Sequence, residues 1–461
     1  MNVYMEENRN NRGKLSVLGL FALAISGIAP TGSMAYSTTA TARVAGYNVP
    51  LSFLLGGLGI LCVALCFAAM AKHIAGAGSA YAYNKAAFGE KGGFITGWVM
   101  VFAYFVLLIS QPGLTANYVN VFLHHFGITW SINWMTFIII VSMWIISLFG
   151  IKVTSKIAFI TEGVSLLILI ILSAIILIKA GMSGTIDPKP FIPHNNYGGI
   201  GQGMIFAILS YAGFEEISTV SFRAKNPKHT VPRTLIWTVI LIAAFYLTVT
   251  FVEVNGFGIK NIAAFANSPS PLDALSSTYL GNAMAMVMDL AILLSGLASV
   301  LGCANACAYM MYALGANHYL PGFLGKFDEN LNSPKNAVDV TMIMCAIAYA
   351  IFGVPYGYQV VYSNASTLGV MGLLIVYMMV CIGSGIYFAR RSDVHFSWFR
   401  HFLIPLVGVA VLILPFLSNI YPVPKFPGNL YPYIIIIWVV IGLIVSYVKD
   451  KGDRSSVTDE D

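Results

Sequence analysis

The sequence predicts an all-α polytopic membrane protein with 12 transmembrane helices, and three observations support this fold class. Hydrophobic residues make up 58% of the 461 residues and charged residues 10%, with a mean hydropathy of +0.78. Charged residues approach a quarter of a typical soluble domain. Twelve apolar runs are long enough to cross a hydrocarbon core of about 30 Å, which takes roughly 20 helical residues. Basic residues also concentrate in alternate loops.

The predicted spans follow one another with no soluble domain between them. They cover residues 15–44, 50–71, 94–122, 130–149, 151–181, 200–223, 231–255, 281–313, 336–354, 361–389, 401–420 and 430–448. Residues 1–14 lack the apolar run and small-residue cleavage site of a secretory signal, so we expect a cytoplasmic tail before a true first span. The outer connections 182–199 and 256–280 are lid candidates, each too short for its own core. Residues 449–461 are predicted to be a solvated, disordered cytoplasmic tail.

The distribution of basic residues predicts that both termini lie in the cytoplasm and that the protein resides in the cell membrane. With the N-terminus inside, all but five of the 25 Lys and Arg fall on the cytoplasmic side; the five are Arg43, Lys179, Lys189, Lys260 and Lys425. One missed span would invert every later loop, so this bias supports the span count too. The basic residues are scattered, so we expect no nucleic-acid partner. Lipid and a small molecule are the expected partners, and monomer and homodimer both stay open.

Cysteine and histidine give no indication of a metal, haem or disulfide site. The six cysteines lie in apolar segments, where cysteine behaves as a small hydrophobe, and the eight histidines fall in predicted loops or tails. An intramembrane enzyme needs a nucleophile and base or a metal cluster, and a channel needs repeated polar rings. Neither pattern is present in the spans, so we expect a protein that is not an enzyme, without cofactor or metal.

Two spans contain residues that interrupt a helix. The first reads SGIAPTGSMAYS at 26–37, and the sixth reads ILSYAGFEEIS at 208–218, with Glu215 and Glu216 side by side. Unwound backbone in hydrocarbon persists only beside a cavity, and carboxylates at membrane depth indicate a functional site. The alternatives are a proline kink with close glycine packing, and a shifted sixth span whose Glu pair lies near water.

The positions of the two breaks predict an internal repeat. Breaks in the first and sixth spans indicate two five-helix units in opposite orientation, residues 15–181 and 200–392, followed by two further spans within 401–448. Inverted repeats with matching discontinuous helices are typical of secondary transporters whose substrate lies at the midplane. The two halves show no strong residue-level identity, so the repeat rests on the positions of the breaks.

Four stretches of the chain carry a family resemblance over nearly its whole length. They are GIAPTGSM in the first span, GAGSAYAYNKAAFGEKGGFITGW at 76–98, GFEEISTVSFRAKNPKHTVPR at 213–233 and NACAYMMYALGANHYLP at 305–321. In combination they resemble the amino acid-polyamine-organocation superfamily, in its amino acid permease type. The resemblance implies the five-plus-five inverted repeat of the LeuT-like fold, with broken helices 1 and 6, and alternating access.

The resemblance also implies where a substrate amino acid binds. Its carboxylate is expected on backbone N–H groups and small hydroxyls of the first break, at Thr31, Gly32 and Ser33, which are preceded by Ala29 and Pro30. A free helix N-terminus suits such an anion. The ammonium group is expected at carbonyls released by the second break; the positions are Ser210, Tyr211 and Ala212.

Further positions are implied as a gate and as pocket walls. Glu215 is expected to bind substrate or gate the site, with a structural hydrogen bond as the alternative, and Phe214 or Tyr211 is the expected aromatic lid. Glu216, about 100° further round a helix, is expected to face the first span or a basic partner. The pocket candidates, for which plain helix packing is the alternative, are Gln111, Cys303 and Asn305.

The chain departs from its relatives at the position that couples transport to an ion. Many relatives carry a lysine in the fifth span where this chain has Ser165, and Glu162 lies one turn earlier on the same face. With Ser299 in the eighth span, Glu162 is a candidate site for a proton or Na⁺, because oxygen ligands suit a hard cation. The alternative is that Glu162 pairs with a neighbouring polar group. Near the end of the eighth span, Tyr309 and the stretch GANHY replace an arginine and a basic-acidic pair of the relatives.

Together these patterns predict a secondary active transporter of an amino acid or related amine. We expect proton symport, with Glu215 or Glu162 as the group that binds the proton. The main alternative is exchange of an amino acid for an amine, with Glu215 binding the positively charged end of the substrate. The sequence does not identify the amino acid, because selectivity changes by only about 1 to 3 kcal/mol per methylene or hydroxyl.

Overall fold

A computed structural model describes residues 17–74, 79–149, 151–194, 196–219, 224, 226–331 and 333–458 of the chain. The predicted tail at 1–14 and residues 220–223 of the sixth predicted span lie outside the described residues. In chain order the helices are α1 (Val17–Ile28), α2 (Pro30–Ala45), α3 (Val49–Ala71), α4 (Ser79–His124), α5 (Ile132–Leu148), α6 (Ile151–Met182), α7 (Tyr197–Tyr211), α8 (Glu216–Thr219), α9 (Pro227–Phe257), α10 (Ile262–Asn267), α11 (Pro271–Leu280), α12 (Asn282–Ala316), α13 (Lys335–Ala348), α14 (Tyr358–Ala389), α15 (Ile404–Ser418) and α16 (Tyr431–Thr458).

The described part of the chain is built from helices and confirms the polytopic membrane class. Nine of its helices are long and apolar enough to cross a membrane. They are α3, α4, α6, α9, α12, α14 and α16 together with α13 and α15, which are lengthened by the π-helical turns Tyr349–Gly353 and Phe399–Leu403. Helix α4 packs along α12 and α14, while α9 packs along α3. These contacts bury the middle of the bundle, where the two predicted breaks lie.

The first break is one residue wide. Ala29 adopts a left-handed conformation, with φ 48° and ψ 60°, between the end of α1 and Pro30 at the start of α2. Proline suits the first helical position, because it lacks the N–H that a new helix would leave unpaired there. The local sequence therefore ends one helix and begins another inside the predicted first span.

The second break is wider and lies against the first. Helix α7 ends at Tyr211, residues 212–215 form a turn, and α8 begins at Glu216. Gly213 has φ 104°, and a Cβ added there would lie 2.8 Å from the carbonyl carbon and oxygen of Gly27. Glycine is required both for the backbone conformation and for this approach of two main chains.

Several predicted boundaries are wrong because helices continue beyond the apolar part of a span. Helix α4 begins at Ser79 rather than 94 and contains a non-helical residue at Gly89, with φ 83°. Helix α16 continues to Thr458, so residues 449–458 are helical where the sequence predicts a disordered tail, and residues 459–461 lie outside the described residues. Polar helical turns outside the hydrocarbon give no hydropathy signal, which is why the sequence pattern missed them.

The prediction that all eight histidines lie in loops or tails is wrong for three of them. His124 ends α4, and His229 lies in the first turn of α9. His401 is 8% exposed in the turn before α15, where its ring stacks on Phe388 at 4.1 Å and its Nδ1 accepts a hydrogen bond from the N–H of Ser397. None of these three lies at the two breaks.

Candidate functional site

A cavity of about 30 Å³ lies between the two breaks. One water molecule needs roughly 10–15 Å³ on this measure, so the space takes water but not a whole amino acid. Gly27, Ile28, Gly213 and their neighbours bring both breaks into its wall. A larger ligand would therefore require the lining side chains and the two breaks to move apart.

The polar lining other than Glu216 comes from four helices. Helix α2 contributes Ser33, Tyr36 and Ser37, α4 contributes Tyr104 and Gln111, α12 contributes Ser299 and Cys303, and α14 contributes Tyr362. Apolar lining comes from Ile28, Leu107 and Leu209. Among the described residues that line the cavity, Glu216 is the only carboxylic acid, and Lys, Arg and His do not occur there.

The cavity contains about half of the predicted substrate-binding residues. Those that line it are Gly32, Ser33, Gln111, Ala212 and Cys303, while those that do not are Ala29, Thr31, Ser210, Tyr211, Phe214 and Glu215. The candidate Asn305 is 8% exposed and also lies outside the lining. Whether a predicted residue lines the cavity depends on which side of its helix or turn it occupies, and the positions of the breaks do not determine that.

The two adjacent glutamates point in different directions. Glu215 is 1% exposed and lies outside the lining: its Oε1 accepts hydrogen bonds from Tyr104 and, at 3.1 Å, from Tyr377, and its Oε2 accepts the Gly213 N–H at 3.1 Å. Glu215 thus makes the structural hydrogen bonds that we gave as the alternative to a substrate or gating role. Glu216 lines the cavity, and its Oε2 would lie 2.6 Å from a Cβ on Gly27. Glu216 therefore faces the first span, which was one of the two positions expected for it.

The aromatic residues of the second break are packed away from the cavity. Phe214 and Tyr211 are both fully buried; the Phe214 ring contacts Phe67 at 5.6 Å and the Tyr211 ring contacts Tyr246 at 5.0 Å. The aromatic side chains in the lining are instead those of Tyr36, Tyr104 and Tyr362. No pattern in the sequence separates these three tyrosines from the other tyrosines of the spans.

Two carbonyl groups at the end of α7 already accept hydrogen bonds from within the protein. The Ser210 carbonyl accepts a hydrogen bond from the Tyr246 hydroxyl at 2.5 Å, and the Tyr211 carbonyl accepts one from the Phe214 N–H at 3.2 Å. Of the three residues predicted to receive an ammonium group, Ala212 lines the cavity. A cationic group in the cavity would therefore meet Glu216 first.

The N-terminus of α2 is tied to a buried carboxyl. The Gly32 N–H donates to Ser295 Oγ at 2.8 Å, and Ser295 Oγ donates to Oε1 of Glu162. Glu162 is fully buried, and the main-chain N–H and the hydroxyl of Thr31 lie close enough to its carboxyl to interact with it. A carboxyl thus stands behind the helix end at which an anion would bind.

The predicted partners of Glu162 are distributed differently from expectation. Ser295, one helical turn before Ser299, is the residue that bonds Glu162, and Ser299 lines the cavity instead. Ser165 is 1% exposed, and its hydroxyl donates to the Ala291 carbonyl at 3.2 Å. Helix α6 therefore meets α12 one turn earlier than expected, at Ser295 and not at Ser299.

Comparison with known proteins finds permeases and transporters that match most of the chain. A sequence profile described as amino acid permease matches residues 15–441. The branched-chain amino acid permease BcaP of Lactococcus lactis subsp. cremoris is 29% identical over 85% of this chain and 85% of its own length. BcaP of Bacillus subtilis is 23% identical over 94% and 93%, and the methylthioribose transporter of Bacillus subtilis is 22% identical over 95% and 93%.

Proposed function

Because the chain belongs to the amino acid permease family of the amino acid-polyamine-organocation superfamily, we propose that it carries neutral amino acids across the cell membrane by proton symport and alternating access. It is a transporter and not an enzyme. The observation that carries the proposal is the cavity between the two helix breaks, with the start of α2 on one side and Glu216 on another. Opposite ends of broken helices suit the opposite charges of a zwitterion.

The lining supports a substrate with both an amino and a carboxylate group. The carboxylate is assigned to the start of α2, at Gly32 and Ser33, where the helix dipole is positive. The amino group is assigned to the Glu216 carboxylate beside Gly27, near the negative end of α1. A site with one acidic side chain balances the charge of one amino group and leaves the substrate side chain uncharged.

The apolar part of the lining supports a small aliphatic side chain. Ile28, Leu107 and Leu209 are available to contact it, and a hydrophobic pocket gains about 0.8 kcal/mol per buried CH₂. Two of the relatives are named branched-chain amino acid permeases, which agrees with this assignment. Leucine, isoleucine and valine are therefore the proposed substrate class.

Glu162 is the proposed proton site. A substrate carboxylate at Gly32 would lie beside the N–H whose hydrogen bond leads through Ser295 to Glu162. Two negative carboxylates near one helix end repel each other in a medium of low polarity, and a proton on Glu162 removes that repulsion. Proton and substrate binding would thus favour each other, which is the requirement for symport.

The proposed architecture is 12 spans with cytoplasmic termini. The broken pairs α1 with α2 and α7 with α8, and the 17-residue helix α5, would add three spans to the nine long helices. Residues 15–181 and 200–392 would then be inverted repeats, with 401–448 as the two extra spans. The expected distribution of Lys and Arg supports this orientation.

The proposal is tested by uptake of radiolabelled leucine into proteoliposomes that contain the purified protein. We expect an inward proton gradient to accelerate uptake without any internal counter-substrate, and isoleucine and valine to compete. Stronger competition by lysine, agmatine or methylthioribose would contradict the substrate class. A requirement for an internal amine would favour the exchange alternative, and acceleration by Na⁺ alone would contradict proton coupling.

Three glutamine variants distinguish proton coupling from substrate binding in the same assay. Glu162→Gln is expected to transport at fixed pH but to lose acceleration by the gradient, while Glu253→Gln removes another fully buried carboxyl outside the lining and should keep it. Glu216→Gln should weaken apparent affinity by about 30-fold or more, since loss of one partner of a buried charge pair costs about 2 kcal/mol or more. A gradient response that survives Glu162→Gln, or is lost in Glu253→Gln, would move the proton site elsewhere.

A further inference from the structure

A second cluster of titratable side chains lies apart from the cavity. His125 follows the end of α4, Asp273 lies in the first turn of α11, and Asp289 lies in α12. The ring nitrogen of His125 and one carboxylate oxygen from each aspartate all lie within 4.8 Å of one another. Three segments that are far apart in the sequence thus bring one nitrogen and two oxygen ligands to a single point.

One histidine cannot satisfy this arrangement alone. His125 Nε2 lies 2.9 Å from Asp289 Oδ2 and 3.7 Å from Asp273 Oδ1, and Asp273 Oδ1 is buried without a hydrogen-bond partner among the described residues. The Asp289 side chain is fully buried, while 22% of the His125 side chain is exposed. Two carboxylates therefore face at most one positive charge, and a nitrogen with a single hydrogen cannot bond both well.

We propose that His125, Asp273 and Asp289 bind a divalent transition metal of the Zn²⁺ class. Imidazole nitrogen and carboxylate oxygen are ligands of Zn²⁺, and at Zn–ligand distances near 2.1 Å tetrahedral ligand atoms lie about 3.4 Å apart. The observed separations of 2.9 and 3.7 Å bracket that value. Mg²⁺ and Ca²⁺ prefer oxygen ligands throughout, so the imidazole selects against them.

The surroundings have the features of a metal site with an open coordination position. Ser270 Oγ donates to Asp289 Oδ1 at 3.3 Å, which orients the carboxylate from outside the site. The partial exposure of His125 and of Asp273, whose side chain is 26% exposed, leaves a path from solvent and room for water as a fourth ligand. Because the ligands belong to α11, α12 and the segment after α4, bound metal would join all three.

The site is tested on the full-length protein purified in detergent and stripped with EDTA. Isothermal titration with ZnCl₂ and elemental analysis after gel filtration should give one Zn²⁺ per chain, and Zn²⁺ should raise the midpoint of thermal unfolding. His125→Ala and Asp273→Asn, both at partly exposed positions, should weaken Zn²⁺ binding by at least about 10-fold, the loss that removal of a metal-site partner causes. His124→Ala removes the neighbouring histidine and is expected to bind as the unaltered protein does.

The outcomes separate a metal site from a hydrogen-bonded ion pair. Absence of saturable Zn²⁺ binding, or equal binding by His125→Ala, would overturn the proposal and leave the three residues as an ion-pair cluster. Equal weakening by His124→Ala, or tighter binding of MgCl₂ than of ZnCl₂, would also overturn it. None of these readouts depends on transport, so the result stands whatever the uptake assay gives.

Discussion

The two helix breaks meet at one cavity, yet they obtain their hydrogen-bond partners in different ways. At the first break, the Gly32 N–H bonds Ser295, which is 263 positions away in the sequence, and Ser295 leads to Glu162 in a third helix. At the second break, the Gly213 N–H bonds Glu215, two residues further along the same turn. The N–H of the first break thus depends on distant helices, whereas the N–H of the second break is bonded within its own turn.

This difference indicates which break is free to change during a transport cycle. The second break is fixed by its own carboxylate and by hydroxyls from Tyr104 and Tyr377, so opening it would leave several buried polar groups unpaired. The first break is held through a serine and a carboxyl on helices α12 and α6, and movement of either helix alters it. We expect the first break to respond to protonation and the second to act as a rigid wall.

The largest effect is expected from Gly213→Ala in the second break. A methyl group there would enforce an unfavourable φ and lie 2.8 Å from the Gly27 carbonyl, at a combined cost of about 3 kcal/mol or more from strain and overpacking. Thermal unfolding in detergent and leucine uptake should both show the loss. Gly198→Ala, in the first turn of α7 and with open space around it, is the matched control and should behave as the unaltered protein. Normal stability of Gly213→Ala would mean that the breaks are not in fixed contact.

A smaller effect is expected from Ser295→Ala, which tests the distant support of the first break. The substitution leaves the buried Gly32 N–H without its acceptor and Glu162 without its donor, which costs about 1–3 kcal/mol. The midpoint of chemical or thermal unfolding measures this loss. Ser299→Ala removes a hydroxyl of the cavity wall one turn away and should change stability less than Ser295→Ala does. Equal effects of the two would remove the distinction between the two kinds of break.

The smallest effect is expected from Ala29→Gly in the first break. Ala29 has φ 48°, a conformation that glycine adopts without the Cβ penalty. Relief of that strain is partly offset by the greater freedom of glycine in the unfolded chain, so we expect stabilisation of about 1 kcal/mol or less. A small rise in the unfolding midpoint with uptake retained fits this prediction. A clear fall would show that the alanine methyl group, and not only the backbone turn, supports the break.

The positions of the breaks were predictable from the sequence because they depend on local residue types. Pro30 cannot continue a helix and suits the start of a new one, and Gly213 is the residue type that adopts φ 104° at little cost. Hydropathy likewise predicted the membrane class, since apolar length reflects the thickness of the bilayer. The ends of α4 and α16 were missed because polar helical turns outside the bilayer carry no such signal.

The sequence by itself therefore determined that this is a helical membrane protein of the permease family, with two interrupted spans whose polar residues mark a site. Only the tertiary structure decided that Glu216 and not Glu215 lines the cavity, and that Ser295 and not Ser299 bonds Glu162. Glu215 ends the turn after α7 and Glu216 begins α8, while Ser295 and Ser299 lie one turn apart on the same face of α12, so no local pattern separates the members of either pair. Which residue faces a cavity depends on how separate helices pack, and the same packing brings His125 to Asp273 and Asp289 from segments that share no local pattern.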